Sequence, residues 1–419
     1  MPAFAEAPPP PPPPPGRSDT SSDDKFCGQV SNAVSSFVDS FVDFIVGGQI
    51  LSKHAQSSAN SFHPAAGAGG EARNHGGDSG MGIVTRIPAV ERLVAIGDIH
   101  GDLAKTRESL RIAGVVDEDD RWIGGKTVVV QVGDVLDRGG QELKVLYLLE
   151  KLKGEAQRHG GDLHIMNGNH EVMNIEGDFR YATKEALDEF SAWAQWYRRG
   201  QALKERCHGL GRQPDVFKNV RKSIPDGVRA RYAALRPGGP ISSRFLAHHP
   251  TILIVGSTVF AHGGILPSHL DYGLEKINAE VRDWIQGRKG RQAPGYLRGK
   301  DAVVWARQYS IPVESLCDCR LLDEVLTGIT GASRMVVGHT IQAPFGINSA
   351  CRNQVFRVDV GMSSGCANTA PEVLEIRHDT VVRVLSKEKE KAAPQAPPGL
   401  ASILDRGKSP ILLQSNLKF

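Results

Sequence analysis

The stretch Leu93-Val94-Ala95-Ile96-Gly97-Asp98-Ile99-His100-Gly101 decides the fold. Four apolar residues read as a strand buried on both faces, a glycine breaks it, and an aspartate and a histidine arrive at the break. The same arrangement returns twice. Thr127–Val132 runs into Gly133-Asp134-Val135-Leu136-Asp137-Arg138-Gly139, and Leu163–Met166 runs into Gly168-Asn169-His170-Glu171. Asp98 and Asp134 lie 36 positions apart, and Asp134 and Asn169 lie 35 apart. Each interval has room for one strand–helix–strand crossover, with helical stretches at Leu103–Ala113 and Gln141–Lys153. The pattern predicts an α/β fold with a parallel sheet and right-handed crossovers. All three polar clusters then reach the carboxyl ends of neighbouring strands, where open α/β sheets hold ligands.

Two later strands end the same way. Val259-Phe260 precedes Ala261-His262-Gly263-Gly264, and Met335-Val336 precedes Val337-Gly338-His339-Thr340. Further apolar runs at Ile252–Val255, Val355–Val358, Val373–Ile376 and Val381–Val384 complete this second set, the last ones resembling a hairpin. The expected architecture is two packed mixed β-sheets flanked by helices. Aspartate, histidine and asparagine together suit a hard-to-borderline divalent cation rather than a thiolate site. A carboxylate between two histidine-bearing clusters can bridge two metals, which lie about 3.5–4 Å apart in hydrolytic sites. Any one of these residues alone reads more readily as a satisfied turn or core residue. Five glycine-flanked clusters, each following an apolar strand, read as a site.

GDIHG, GDVLDRG, GNHE and HGG, in that order, resemble the signature of the phosphoprotein-phosphatase family within the calcineurin-like metallophosphoesterases. The GDVLDRG and VVGHT forms are most similar to the Shewanella-like phosphatases of plants and bacteria. SSFVDSFVDF, before the catalytic region, resembles their second, non-plastid plant type. The resemblance covers residues 90–385. It implies that Asp98 and His100 bind a first metal, that Asp134 bridges both, and that Asn169, His262 and His339 complete the second. It implies two divalent cations, manganese first, with iron or zinc as alternatives. His170 then serves as general acid oriented by Asp137, while Arg138 and, as its best match, Arg307 grip the phosphate. The implied reaction is hydrolysis of phosphotyrosine, phosphoserine or phosphothreonine on proteins by a metal-bridging hydroxide, without a covalent intermediate. Where the serine/threonine branch carries SAPNYC, this chain reads Gly361-Met362-Ser363-Ser364-Gly365-Cys366, so toxin sensitivity does not carry over. Two other readings stand beside it: a phosphatase of small phosphoesters or dinucleoside polyphosphates on the same fold, and a scaffold acting through its N-terminal segment.

The 419 residues carry 50 Lys plus Arg and 47 Asp plus Glu, a net charge of +3. That balance gives no basis for nucleic-acid binding. No run of 18 apolar residues occurs, so no spanning helix is expected. The first residues lack the basic start and apolar run of a secretory signal. Six cysteines do not make a disulfide scaffold, and the cytosol is the expected compartment. The mitochondrial intermembrane space is the alternative if Cys317-Asp318-Cys319 is a redox pair or a set of disulfide donors. Residues 1–29, with the run Pro8–Pro15, read as a disordered proline-rich tail. Residues 30–51 read as an amphipathic helix with Val30, Val34, Phe37, Val38, Phe41 and Val42 on one stripe. The proline run reads as a spacer, with docking of a partner as the alternative, and the helix either docks on the catalytic domain or meets a protein partner. Residues 52–89 read as a linker, 90–385 as the metallophosphatase domain and 386–419 as a tail. Within the domain, 175–250 reads as a helical insertion whose basic run, Lys218 to Arg236, either caps the site for acidic phosphopeptides or faces solvent.

Overall fold

A computed structural model describes residues 83–206 and 215–387. The proline-rich tail, the amphipathic helix, most of the linker and the C-terminal tail lie outside the described residues.

Strands β2 (Arg92–Ile96), β3 (Val128–Gln131) and β4 (Asp162–Ile165) run parallel, with Leu93 opposite Val128 and Val128 opposite Asp162. Every side chain of β3 is buried, as a strand covered on both faces requires. Helices α1 (Leu103–Ile112) and α2 (Glu142–Arg158) make the crossovers. Asp102 caps α1 by accepting the Lys105 amide at 3.0 Å. The level register brings the residues after β2, β3 and β4 to one edge.

Among the described residues the second sheet has six strands, hydrogen-bonded in the order 86–87, 252–255, 258–261, 334–337, 355–357 and 348–350. These are β1 (Arg86–Ile87), β5 (Ile252–Val255), β6 (Thr258–Ala261), β7 (Arg334–Val337), β8 (Asn348–Ala350) and β9 (Val355–Arg357). β6 and β7 are parallel, with Phe260 opposite Val336, so His262 and His339 leave the sheet on the same side.

Two sequence expectations change. The terminal hairpin, β10 (Glu372–Arg377) and β11 (Val381–Ser386), joins the first sheet, with β10 antiparallel to β2. Without β10 the free edge of β2 would leave buried backbone groups unpaired. Arg86–Ile87, read as linker, pairs parallel with β5, so the sheet begins before residue 90.

Helix α3 (Asn169–Glu176) starts at Gly168. Between 175 and 250 the described residues include helices α4 (Lys184–Arg206) and α5 (Asp226–Leu235), packed on each other. Glu189 of α4 accepts the Leu143 and Lys144 amides at 2.8 and 3.1 Å. It thereby caps α2, which has no side-chain cap of its own.

Candidate active site

The five clusters converge where the two sheets present their carboxyl ends. Asp134, His262 and His339 offer ligand atoms within 4.8 Å of one another, as do His100, Asp134 and His170, so Asp134 is common to both groups. Asp134 Oδ2 is 3.2 Å from His262 Nε2 and 3.7 Å from His100 Nε2. Asn169 Oδ1 lies 2.9 Å from His262 Nε2. Asp98 accepts the His339 amide at 3.1 Å. All six expected metal ligands are buried.

The imidazoles are oriented from behind. His100 Nδ1 donates to Leu136 O at 3.0 Å, and His262 Nδ1 donates to Val132 O at 2.9 Å. A carbonyl only accepts, so a proton sits on Nδ1 of each ring, and Nε2 faces inward as the nitrogen that a metal would take on displacing any proton there. Nε2 of His339 is buried and has no hydrogen-bond partner among the described residues. Burial first, then the charge of Arg307, drives His339 well below the usual imidazole range, so it stays a neutral donor. Burial alone lowers His262, yet Asp134 and Asp98 push it up to about 10. That excess of negative charge is what divalent cations neutralise, and the donor set of carboxylate, imidazole and amide oxygen fits them.

The backbone is bent to make this arrangement. His100, Asp134, Asp137, Arg138 and His339 all take positive φ, between 48° and 69°. Left-handed backbone at non-glycine residues gathers at functional sites. Glycines allow close approach: a Cβ on Gly168 would strike the Asp134 carboxylate, and one on Gly97 would strike Val358 O.

His170 Nδ1 bonds Asp137 Oδ2 at 2.7 Å, and both residues are buried. Burial by itself lowers His170, but the Asp134 and Asp137 carboxylates outweigh it and raise its pKa. Arg138 lies with its guanidinium 5.0 Å from the Tyr181 ring centroid, and its Nε has no partner among the described residues. Arg307 donates to Thr340 Oγ1 at 2.6 Å, beside His339, so it too reaches the site.

Several participants escape the sequence reading. Glu171 accepts four backbone amides: Gly168 at 2.7 Å, Asp134 and Val135 at 2.9 Å, and Leu136 at 3.0 Å. It is the last residue of GNHE, which was a visible signal. Asp359, buried and facing Asp98, is pushed up to about 6 by burial; nothing in Val358-Asp359-Val360 marked it. Tyr181 is 41% exposed at the rim, its ring 5.1 Å from that of His170. The Gly361–Cys366 loop also reaches the rim, where Ser363 donates to His100 O at 3.2 Å. Cys319 pairs with Cys351, not Cys317, while the Cys317 thiol lies 3.3 Å from Cys351 Sγ.

Residues 91–340 match the family model described as calcineurin-like phosphoesterase. The chain is 50% identical over 368 residues to Shewanella-like protein phosphatase 2 of Arabidopsis thaliana, covering 86% of this chain and 88% of that one. It is 29% identical over 310 residues to Shewanella-like protein phosphatase 1 of Plasmodium berghei, covering 72% and 76%. Among solved structures it resembles the cold-active protein-tyrosine phosphatase of a psychrophilic Shewanella species. The TM-score there is 0.54 at 22% identity, covering 74% of this chain and 82% of that one, which speaks for the fold. The motifs, the two-sheet architecture and these likenesses agree: the chain belongs to the calcineurin-like phosphoesterases and, within them, to the Shewanella-like protein phosphatases.

Proposed function

We propose that the chain is a metal-dependent protein phosphatase that hydrolyses phosphate monoesters on protein side chains. The observation that carries this reading is the buried His170–Asp137 pair, set beside two donor groups that share Asp134. Asp98, His100 and Asp134 would hold one cation, and Asp134, Asn169, His262 and His339 the other. Oxygen and imidazole donors make manganese the first choice, with iron or zinc as alternatives. When bound, the cations supply positive charge to the phosphoryl oxygens and acidify water. Arg138 grips the phosphate as a planar bidentate donor, and Arg307, tied to Thr340, adds a second guanidinium. As water adds to phosphorus in line and the ester P–O bond breaks, the His170 imidazolium, held by Asp137, passes its Nε2 proton to the departing oxygen.

Tyr181 supports phosphotyrosine over phosphoserine or phosphothreonine, because its exposed ring stands next to His170, where an aryl leaving group can stack. Initial rates on matched phosphotyrosine and phosphoserine peptides and on a dinucleoside polyphosphate test this. Faster turnover of the phosphotyrosine peptide than of both others is expected; preference for the dinucleotide would sink the protein-phosphatase reading.

The Cys319–Cys351 disulfide supports an oxidising compartment, such as the intermembrane space, over the cytosol. Both cysteines alkylating freely after acid trapping from cells would contradict it. The N-terminal segment would serve as a partner or docking site, and its loss without any change in binding or activity would argue against that role. No helix among the described residues is long and apolar enough to cross a membrane.

A further inference from the structure

The basic run of the insertion contains one side chain that turns inward. Arg231, on α5, is fully buried, whereas Lys218, Arg221 and Lys222 of the same run are exposed. Its three donor groups are all used. Nη2 bonds Asp137 Oδ1 at 2.9 Å, Nη1 bonds Glu142 Oε2 at 2.7 Å, and Nε bonds Asn174 Oδ1 at 2.7 Å. Each acceptor is tied in turn to the His170 pair. Asp137 Oδ2 receives His170 Nδ1 at 2.7 Å and Asn174 Nδ2 at 2.9 Å. Asn174 also donates to His170 O at 2.8 Å, and Glu142 Oε1 takes the Asp137 amide at 3.0 Å. The rings of Phe179 and Phe190 close over the guanidinium at 5.5 and 4.9 Å.

This network leaves Asp137 no freedom. One carboxylate oxygen is fixed by Arg231 and the other by His170 and Asn174. A single cation is shared between two fully buried carboxylates, Asp137 and Glu142, and a buried charge without its partner is strongly unfavourable. Only a guanidinium offers donors in a rigid plane that reach three acceptors; an ammonium is a point charge.

The geometry points to Arg231 as a positioning residue for phosphoryl transfer, clamping Asp137 so that the His170 ring keeps Nε2 aimed at the departing oxygen. The inference rests on the reading of His170 as general acid. It makes the insertion part of the catalytic apparatus, through a residue 94 positions from the carboxylate it holds.

The test is steady-state kinetics of the manganese-loaded full chain on 4-nitrophenyl phosphate and phenyl phosphate. The first releases a good leaving group and the second a poor one that needs its proton. Arg231→Lys is compared with wild type, with His170→Asn and with the double variant of both. Arg231→Met combined with Glu142→Gln, which removes one charge of each sign, serves if the lysine variant does not melt like wild type. The expected kcat loss is about 30-fold on phenyl phosphate and under about threefold on 4-nitrophenyl phosphate, with KM unchanged. In the His170→Asn background, Arg231→Lys should cost nothing further. Equal losses on both esters, or a full extra loss on top of His170→Asn, would overturn the assignment of Arg231. A wild type inert toward both esters, or a His170→Asn variant as active as wild type, would instead overturn the reading beneath it.

Discussion

Asp134 shows how much is asked of single residues at this site. Its carboxylate faces three imidazoles, its backbone is left-handed, and its amide is held by Glu171. Glu171 is the tie between two motif loops, since it accepts amides from both Gly168 and the Asp134–Leu136 turn. Burial and the neighbouring Asp134 charge push it up to about 7. Glu171→Ala strands four buried N–H groups and should cost at least about 3 kcal/mol in chemical denaturation. A loss below about 1 kcal/mol would mean that water replaces the carboxylate. Gly168→Ala drives a methyl group into the Asp134 carboxylate. Elemental analysis should then find fewer than two metals per chain; two retained metals would show that the loop yields.

At the scale of elements, legibility followed periodicity. Leu93–Ile96 is a continuous apolar run and Thr127–Val132 a largely apolar one, each followed by glycine, so their strands and the Asp- and His-bearing turns after them could be read directly. The Val373–Ile376 run was equally visible, but a strand's sheet is set by which edge needs pairing, and that is not local information. Arg231 was illegible for a different reason. Amid Lys218, Arg221 and Lys222 its charge reads as solvated, and only the packing of α5 against α3 and α4 turns it inward. Asp359 had no flanking glycine cluster of the kind that marked the others.

The β10–β2 join carries a testable electrostatic contact. Glu375, buried on β10, accepts from Arg92 Nε at 2.7 Å and Arg377 Nε at 3.0 Å, and Arg92 continues to Ala113 O at 2.7 Å. Burial alone would raise Glu375, but the two guanidinium groups outweigh it and hold its pKa below the usual range. A depressed carboxylate adds stability that is complete above the unfolded pKa, near 4.5 in a free chain, and is lost as pH falls through the folded value. Glu375→Gln should therefore lower the melting temperature at neutral pH and make it fall less steeply on acidification. Parallel melting curves for the two proteins from neutral to acid pH would refute this contribution.

For the whole molecule, the metals should act as structural links between the two sheets, because Asp98, His100, Asp134 and Asn169 leave the first sheet while His262 and His339 leave the second. Binding to the folded state alone stabilises by about 2.7 kcal/mol at a hundredfold excess over Kd. Chelation should thus lower the melting temperature of wild type, and manganese should restore it; an unchanged melt would deny the link.

The most direct test of the central claim is hydrolysis of one phosphotyrosine peptide by wild type and His170→Asn, before chelation, after it, and after manganese is returned. Wild-type activity should vanish on chelation and return with metal. His170→Asn should keep its metal content yet lose about 10²–10⁴-fold in kcat. Hydrolysis that survives chelation, or that is undiminished in a metal-loaded His170→Asn, would contradict a metal-dependent phosphatase with His170 as its acid.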